Sequence, residues 1–497
     1  MFRRLLIANR GEIAVRIARA CREAGIASVA VHSEAETSPM HVRQADEAVS
    51  LPGSTPAETY LNVPLLLEAA RRTGCEAIHP GYGFLSENAE FARAVRAAGL
   101  TFVGPEAETI RQLGDKTRAR QLVVKAGVPV VPGYEGSVSA ADFPKQAKKL
   151  GFPVLVKAAG GGGGRGMRIA RSASELGEAL ESARHEAQGA FGDSRVFLEK
   201  LIPSARHVEI QILGDSEGRV ISLFERDCSI QRRHQKILEE SPSPAVSEEL
   251  RERMGATAVA AAKAASYSNA GTVEFLLDPE SGEFYFLEMN TRLQVEHPVT
   301  EMLTGVDLVL AQLRLADGEP ISPLWSAAAP RGHVIECRLC AEDPSKDFVP
   351  SPGRILHWRV PEGPGIRVDA GYETGDEVSI FYDSLLAKIL VTAEDRVGAM
   401  RRMERALRET LVLGPVTNLD LLRRVIAHPA FTRGEAATDF LSRYPPSIEE
   451  APSPPDEILL AAAIAAASGQ EPGLRDSRDD QGSHSPWDLQ DGFRLEG

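Results

Sequence analysis

Two β-rich runs, TVEFLL and EFYFLEMN, flank DPESG, a cluster of turn-forming residues. That pattern predicts a β-hairpin. Folding it about Ser281 sets Glu274 opposite Glu288. Cross-strand neighbours have Cβ atoms roughly 5 Å apart, and like charges placed there are destabilising. A divalent cation reverses the penalty, because Mg²⁺ takes hard oxygen ligands, commonly one or two carboxylates together with substrate phosphates. A one-residue slip of register would carry Glu274 to the other face. With this register, Glu274, Glu288 and Asn290 are predicted metal ligands.

Polar residues continue on every second position: Glu288, Asn290, Arg292, Gln294 and Glu296 share one parity, while Met289, Leu293 and Val295 take the other. If residues 288–296 are extended throughout, five groups able to bind ions point one way and the apolar set packs behind them. A solvated surface strand also alternates, but it seldom mixes carboxylates, an amide and a guanidinium in this order.

Elsewhere the chain alternates strand and helix. RLLIA (4–8) reads as a buried strand, and GEIAVRIARACREAG as an amphipathic helix with Ile13, Ile17 and Cys21 on one side. The βαβ rhythm continues through ASVAVHS, CEAIHPGYG, ENAEFARAVRAAG and LTFVGP, which predicts a Rossmann-like domain over residues 1–112. Its first turn, ANRGE, lacks G-x-G-x-x-G, so nothing points to a dinucleotide. A lysine- and glycine-rich stretch follows, with FPVLVKAAGGGGGRGMRIA at its centre as strand, glycine loop, strand. Residues 330–392 are β-rich, GAMRRMERALRETLV is helical, PPSIEEAPSPPDE is a proline-rich linker and ILLAAAIAAAS a short apolar helix.

At 497 residues the chain has room for about three domains of roughly 150 residues each. A net charge of −14 argues against coating nucleic acid. Five cysteines make no disulfide framework, which predicts a reducing compartment, and positions 337 and 340 of the lone C-x-x-C face opposite ways in a strand. No run approaches the 18 or more apolar residues of a membrane span, and RRLLIA is too short for a signal peptide, so the protein is expected in the cytoplasm.

Three motifs carry chemistry. After Lys157, five glycines at 160–164 allow backbone amides to wrap phosphate oxygens and allow a loop to open and close. No G-K-[ST] is present, so this is not a P-loop. CSIQRRHQKILEE gathers Arg232, Arg233, His234 and Lys236, which supply positive charge for an anion or simply face solvent. RHVEIQ begins a strand at His207, a residue type more often structural than catalytic. A phosphate loop, a carboxylate metal site, an anion-binding arginine and a free glutamate together suit an ATP-dependent ligase that activates a carboxylate as an acyl phosphate.

Over roughly residues 1–445 the chain resembles biotin carboxylase, an ATP-grasp enzyme. The motifs that carry the resemblance are RLLIANRGEIAVRI, IHPGYGFLSEN, GDK at 114–116, KAAGGGGGRGM, FLEK with RHVEIQ, RDCSIQRRHQK, EMNTRLQVEHPVTE, ECRLCAEDP, FVPSPGRI and YDSLLAKI. Their ordered series is far more specific than any one of them. The resemblance implies an α/β fold that becomes α+β in its C-terminal part. It implies a Rossmann-like N-terminal domain (1–112), an ATP-grasp domain (113–320, with a mobile lid about 130–202) and a biotin carboxylase C-terminal domain (330–445). Residues 446–497 form a linker and partial tail.

The resemblance also implies roles. Lys116, Lys157, Gly163, Gly164, Glu199, Lys200, Leu201, Ile202, His207, Gln231 and His234 would bind ATP. Glu274, Glu288 and Asn290 would ligate Mg²⁺ or Mn²⁺, with two ions expected. Lys236, Arg292, Gln294 and Val295 would hold bicarbonate, and Glu296 would be the base that removes its proton. Bicarbonate would then attack the γ-phosphate of ATP, and the resulting carboxyphosphate would break down to CO₂ and phosphate. Phosphate would deprotonate the ureido nitrogen of biotin, with Arg338 stabilising the enolate-like ring and Tyr82 and Gly83 beside it. A reactive intermediate demands a lid that excludes water. The family is commonly dimeric, and Arg19 and Glu23 match positions at its interface.

Biotin in such systems is carried on a lysine, usually in Met-Lys-Met, which does not occur here. A biotin carboxyl carrier protein and a carboxyltransferase subunit are therefore expected as separate partners. DEILLAAAIAAAS and SPWDLQDGFRLEG are similar to the junction leading into the carboxyltransferase-binding barrel of acyl-CoA carboxylase α-subunits, so either the remaining domains lie on another polypeptide or the coding region is truncated. Two rival functions are a carbamoyl phosphate synthase-like ligase, against which HPGYGFLSEN and EMNTRLQVEHPVTE argue, and a non-catalytic scaffold, which would not need Lys236, Glu274, Glu288, Arg292, Glu296 and Arg338 together.

Overall fold

The computed structural model describes residues 2–36, 39–134, 142–159, 167–233, 235–445 and 456–467. Residues 1–446 form one compact unit, and the helix Asp456–Ala467, where the apolar tail helix is expected, belongs to a second unit. Among the described residues, no helix is long and apolar enough to cross a membrane.

A five-stranded parallel sheet opens the chain, in the order Glu47–Leu51, Ala27–Ser33, Arg4–Ile7, Ala77–His79, Thr101–Phe102. Strand order reverses direction between Arg4–Ile7 and Ala77–His79, and in open α/β sheets ligands bind at the carboxyl ends beside such a point. The turns after these two strands are ANRGE and PGYG, which places Glu12, Tyr82 and Gly83 there. The helix Gly11–Ala24 buries Ile13, Ile17 and Cys21 as its periodicity requires, and Gly25 ends it in a left-handed conformation, φ +69°. Glu12 and Arg16, on its polar side, are buried as well. The strand Ile366–Ala370 and the helix Leu308–Ala316 pack against this helix, so amphipathy within the helix understates its burial.

An eight-stranded sheet forms the centre, in the order Phe284–Asn290, Asn269–Leu277, Arg206–Gly214, Val220–Arg232, Gln235–Ser241, His333–Cys340, Leu385–Ala393, Ile366–Ala370, with every neighbouring pair antiparallel. The hairpin is built as its turn residues dictate. Asp278 N–H donates to the Glu283 carbonyl at 2.8 Å, and Ser281 Oγ donates to Asp278 Oδ2 at 2.8 Å. Glu274 pairs with Glu288, and the register shifts by a bulge immediately after Glu274.

The alternating run does not stay extended. Its strand stops at Asn290, residues 291–296 turn, and the helix His297–Thr304 begins one residue after Glu296. Arg292, Gln294 and Glu296 therefore reach the site from a turn and not from one face of a strand. Pro298 in the first turn of that helix suits its start, since proline lacks the N–H that a helix leaves unpaired there.

A separate four-stranded antiparallel sheet, ordered Gly133–Tyr134, Val196–Lys200, Val154–Ala158, Arg168–Ala170, packs with the helices Phe143–Leu150 and Leu176–Phe191 around Phe143, Val154, Val156, Leu176 and Leu198. The glycine run 160–164, with Gly163 and Gly164, lies outside the described residues. The five cysteines are free, and Cys337 and Cys340 share the strand His333–Cys340 without pairing.

Candidate active site

Lys236, on the strand Gln235–Ser241, is the hub of a buried charge network. Its Nζ donates to Glu274 Oε1 at 2.8 Å, to Glu296 Oε1 at 2.6 Å and to Glu209 Oε2. All three ammonium protons are thus held by carboxylates. Burial would lower the Lys236 pKa, but Glu209, Glu274 and Glu296 outweigh it and raise it well above the usual value, so the group stays cationic. Arg338, on His333–Cys340, donates through Nε to Glu239 Oε1 at 2.7 Å and through Nη2 to Glu296 Oε2 at 2.9 Å. Glu296 is fully buried between these two cations. Burial would raise its pKa, yet Lys236 and Arg338 hold it well below the usual carboxylate range.

Glu274 is the second convergence point. Its Oε1 accepts from Lys236, from Asn290 Nδ2 at 2.9 Å and from Gln294 Nε2 at 3.3 Å, and its Oε2 lies 2.9 Å from His207 Nε2. Burial would lower the His207 pKa, but Glu274 outweighs it and raises it. Gln231 Nε2 lies 2.7 Å from the other ring nitrogen and fixes the ring's orientation. Arg292 donates to Gln294 Oε1 at 2.8 Å, to Asn290 Oδ1 at 3.2 Å and, through Nε, to Glu87 Oε2 at 3.0 Å.

The opposed pair Glu274 and Glu288 avoids like-charge repulsion by taking separate cations. Glu288 Oε2 lies 3.1 Å from Lys116 Nζ, and Glu274 faces Lys236. Two carboxylates and an amide are the hard-oxygen donor types that suit a Mg²⁺-type ion, although here each carboxylate faces a lysine and the Asn290 amide oxygen accepts from Arg292. On the same side, Lys157 Nζ meets Glu199 Oε2 at 2.7 Å, and Arg120 Nη1 meets Glu199 Oε1 at 3.3 Å. Lys116, Lys157, Glu199, Phe197 and Phe286 line one small pocket. Asp115 caps the helix Lys116–Lys125 by accepting from Thr117 and Arg118 N–H, which aims Lys116 from the first helical position. Lys200 and Leu201 carry on from the strand Val196–Lys200 through N–H bonds to the carbonyls of Pro132 (2.8 Å) and Pro153 (3.2 Å), and Ile202 follows half-buried.

The structure therefore gathers Lys236, Glu274, Asn290, Arg292, Gln294, Glu296, Arg338, His207 and Gln231 into one hydrogen-bonded network, with Lys116–Glu288 and Lys157–Glu199 as two further ion pairs. His234, like the glycine pair, lies outside the described residues. Three partners escaped sequence reasoning: Glu209 on Lys236, Glu239 on Arg338 and Glu87 on Arg292. Glu209 was readable, since it sits two residues from His207 in RHVEIQ and so shares its strand face. Glu87 and Glu239 carry no local signal, because each meets its partner only across distant segments.

The arrangement concentrates cations around a carboxylate that is kept ionised in a dry setting. A small anion entering it can exchange places with a resident carboxylate on Lys236 or Arg292 at little cost in hydrogen bonds.

Comparison with known proteins agrees along the chain. Residues 1–110 match the family description "Biotin carboxylase, N-terminal domain", residues 115–324 "Carbamoyl-phosphate synthase L chain, ATP binding domain", and residues 336–443 "Biotin carboxylase C-terminal domain". The biotin carboxylase of Nostoc sp. is 51% identical over 441 residues, 88% of this chain and 98% of that one. The mitochondrial methylcrotonoyl-CoA carboxylase subunit alpha of Dictyostelium discoideum is 44% identical over 494 residues, 99% of this chain and 70% of that one. The biotin carboxylase domain of Hydrogenobacter thermophilus 2-oxoglutarate carboxylase, solved as a dimer with MgADP, ADP and bicarbonate, superposes with a TM-score of 0.87 at 46% identity, covering 91% of this chain and 99% of that one.

Proposed function

The chain belongs to the biotin carboxylase family, and from that premise we propose how its residues share out the reaction. The protein is an ATP-dependent carbon–nitrogen ligase that carboxylates biotin with bicarbonate. The observation that carries our assignment is Glu296, a fully buried carboxylate held between Lys236 and Arg338 with Arg292 and Gln294 in the same network.

Bicarbonate takes Lys236, Arg292, Gln294 and the backbone at Val295. As it draws the lysine away, Glu296 loses part of the charge that depresses its pKa and becomes basic enough to accept the bicarbonate proton. The freed oxygen attacks the γ-phosphorus of ATP, the bond to ADP breaks, and carboxyphosphate forms. ATP would lie against Lys116, Lys157, Glu199 to Ile202, His207 and Gln231; the expected Gly163, Gly164 and His234 lie outside the described residues. Glu274, Glu288 and Asn290 would hold Mg²⁺ or Mn²⁺, which would supply neutralisation of phosphate charge. Carboxyphosphate breaks down to CO₂ and phosphate, and phosphate removes the ureido proton. Arg338 balances the enolate-like ring, beside Tyr82 and Gly83. Its pKa is lowered by burial but raised more strongly by Glu239 and Glu296, so the guanidinium stays charged throughout.

Biotin arrives on a carrier protein and passes to a separate carboxyltransferase; the tail after 446, over which the Dictyostelium subunit also aligns, resembles the start of a carboxyltransferase-binding region. The working form is a homodimer in the cytoplasm. Its contact is the groove of about 400 Å³ lined by Arg16, Arg19, Glu23, Glu301 and Arg367, in which Arg19 and Glu23 are exposed. The test is ATP hydrolysis measured with and without bicarbonate and free biotin. Hydrolysis should require bicarbonate and rise with biotin; indifference to biotin would favour another ligase. Glu296→Ala should abolish biotin carboxylation while leaving ATP affinity within about two-fold, since its partners Lys236 and Arg338 are assigned to bicarbonate and biotin and not to the nucleotide.

A further inference from the structure

Four groups from distant parts of the chain meet at one buried point beneath this site. Lys388, on the strand Leu385–Ala393, lies 2.9 Å from Glu12 Oε2, and both side chains are almost wholly buried, 0% and 2% exposed. The same ammonium donates to the Val295 carbonyl at 3.0 Å and stands 5.9 Å from the centre of the Tyr82 ring. The Tyr82 hydroxyl donates to the other Glu12 oxygen. The loop that carries Tyr82 is pinned from the same turn, where Asn9 Nδ2 donates to the carbonyls of Pro80 at 2.7 Å and Tyr82 at 2.8 Å.

A fully buried ion pair gains little stability over an apolar pair of equal volume, because desolvation offsets the attraction. What it does supply is direction, since an ammonium with fixed acceptors sets the distance between the groups it joins. Here those groups are the Val295 backbone and the Tyr82 ring, which belong to the segments that flank the anion and biotin positions. The surroundings leave no slack. A Cβ at Gly371 would come within 2.6 Å of the Glu12 nitrogen, so the C-terminal region closes on this helix start without room for a side chain.

We propose that Glu12 and Lys388 are positioning residues for the carboxylation half of the reaction, holding residue 295 and the Tyr82 ring at the separation across which bicarbonate and the ureido ring meet. This deepens the functional reading above and rests on it. Neither residue touches a nucleotide-binding group, so the two should affect the substrates unequally.

Lys388→Met and Glu12→Gln, in the full chain, separate this role from mere support of the fold. The Michaelis constants for bicarbonate and free biotin should rise about ten-fold or more, as expected of a shift on the order of 1 Å in aligned groups, with that for MgATP within about two-fold. Where Lys388→Met leaves Glu12 without its cation and the chain does not fold, the double variant Glu12→Gln/Lys388→Met removes both charges at nearly constant volume and is read in the same way. Folded variants with unchanged bicarbonate and biotin constants would overturn the proposal, and so would an equal loss for all three substrates. A parent chain without bicarbonate-dependent ATP hydrolysis instead overturns the functional reading itself.

Discussion

Arg226 illustrates how the site is held at the level of single side chains. It is fully buried, and its guanidinium donates to Glu209 Oε1 at 2.6 Å, Gln211 Oε1 at 2.9 Å, Thr300 Oγ1 at 2.7 Å and Thr272 Oγ1 at 3.2 Å. It therefore ties the strands behind Lys236 to the helix that follows Glu296. Arg226→Met leaves Glu209 with one cation in place of two and is expected to cost about 3 kcal/mol or more, near the value for breaking a buried pair from one side. Urea unfolding of the folded variant measures this, and a loss under about 1 kcal/mol would show that Lys236 alone satisfies Glu209. Residue identity was legible here only in part. Lys236, Arg292 and Glu296 stand out by their motifs, whereas Arg226 sits in FERDCSIQ as one of three consecutive charged residues, between Glu225 and Asp227. That a charge there is buried and not solvated follows from the sheet above it, which no local pattern encodes.

Between elements, the same logic links strand to helix. Glu240, on Gln235–Ser241, lies 2.9 Å from His333 Nε2 at the start of the next strand and accepts from Arg396 at 2.6 and 3.0 Å, where the helix Arg396–Glu409 begins. Burial would raise the Glu240 pKa, but the bonds from His333 and Arg396 outweigh it and lower it. An acid depressed in the folded state contributes stability above its unfolded value of about 4.3 and loses it as the pH falls through the folded value. Glu240→Gln should accordingly be less stable than the parent at pH 7, with the difference shrinking below about pH 4. Unfolding by urea over a pH series tests this, and a difference constant with pH would exclude the ionised pair as its source. The hairpin was legible at this scale because turn residues and two β-runs are local signals. The extension of its pattern to residue 296 was not, because alternation of polarity does not report where a strand ends. Pro298 and the helix after it decide that.

Across the whole molecule, Arg16 connects inside to outside. It meets Glu301 at 2.8 Å and Asp307 at 2.7 Å, and Glu301 also takes Arg367 at 2.8 Å. This ladder floors the groove where Arg19 and Glu23 are exposed. If the groove is the proposed contact between two copies, Arg19→Glu reverses one charge in each of two symmetric positions and is expected to weaken self-association. Sedimentation at fixed concentration should show a shift toward monomer, while an unchanged dimer would move the contact elsewhere.

The sequence by itself determined the hairpin, the strand–helix alternation at the start, the register of Glu274 against Glu288 and the residue types able to bind phosphate, metal and a small anion. These depend on spacing, turn chemistry and side-chain chemistry, which act over a few residues. Tertiary structure alone decided which charges meet. Glu87 on Arg292, Glu239 on Arg338 and Glu12 on Lys388 join residues about one hundred to four hundred positions apart, and each pair is formed by sheets and helices closing over it. Only in that closed, low-dielectric interior do the carboxylates and cations hold each other's charge so strongly.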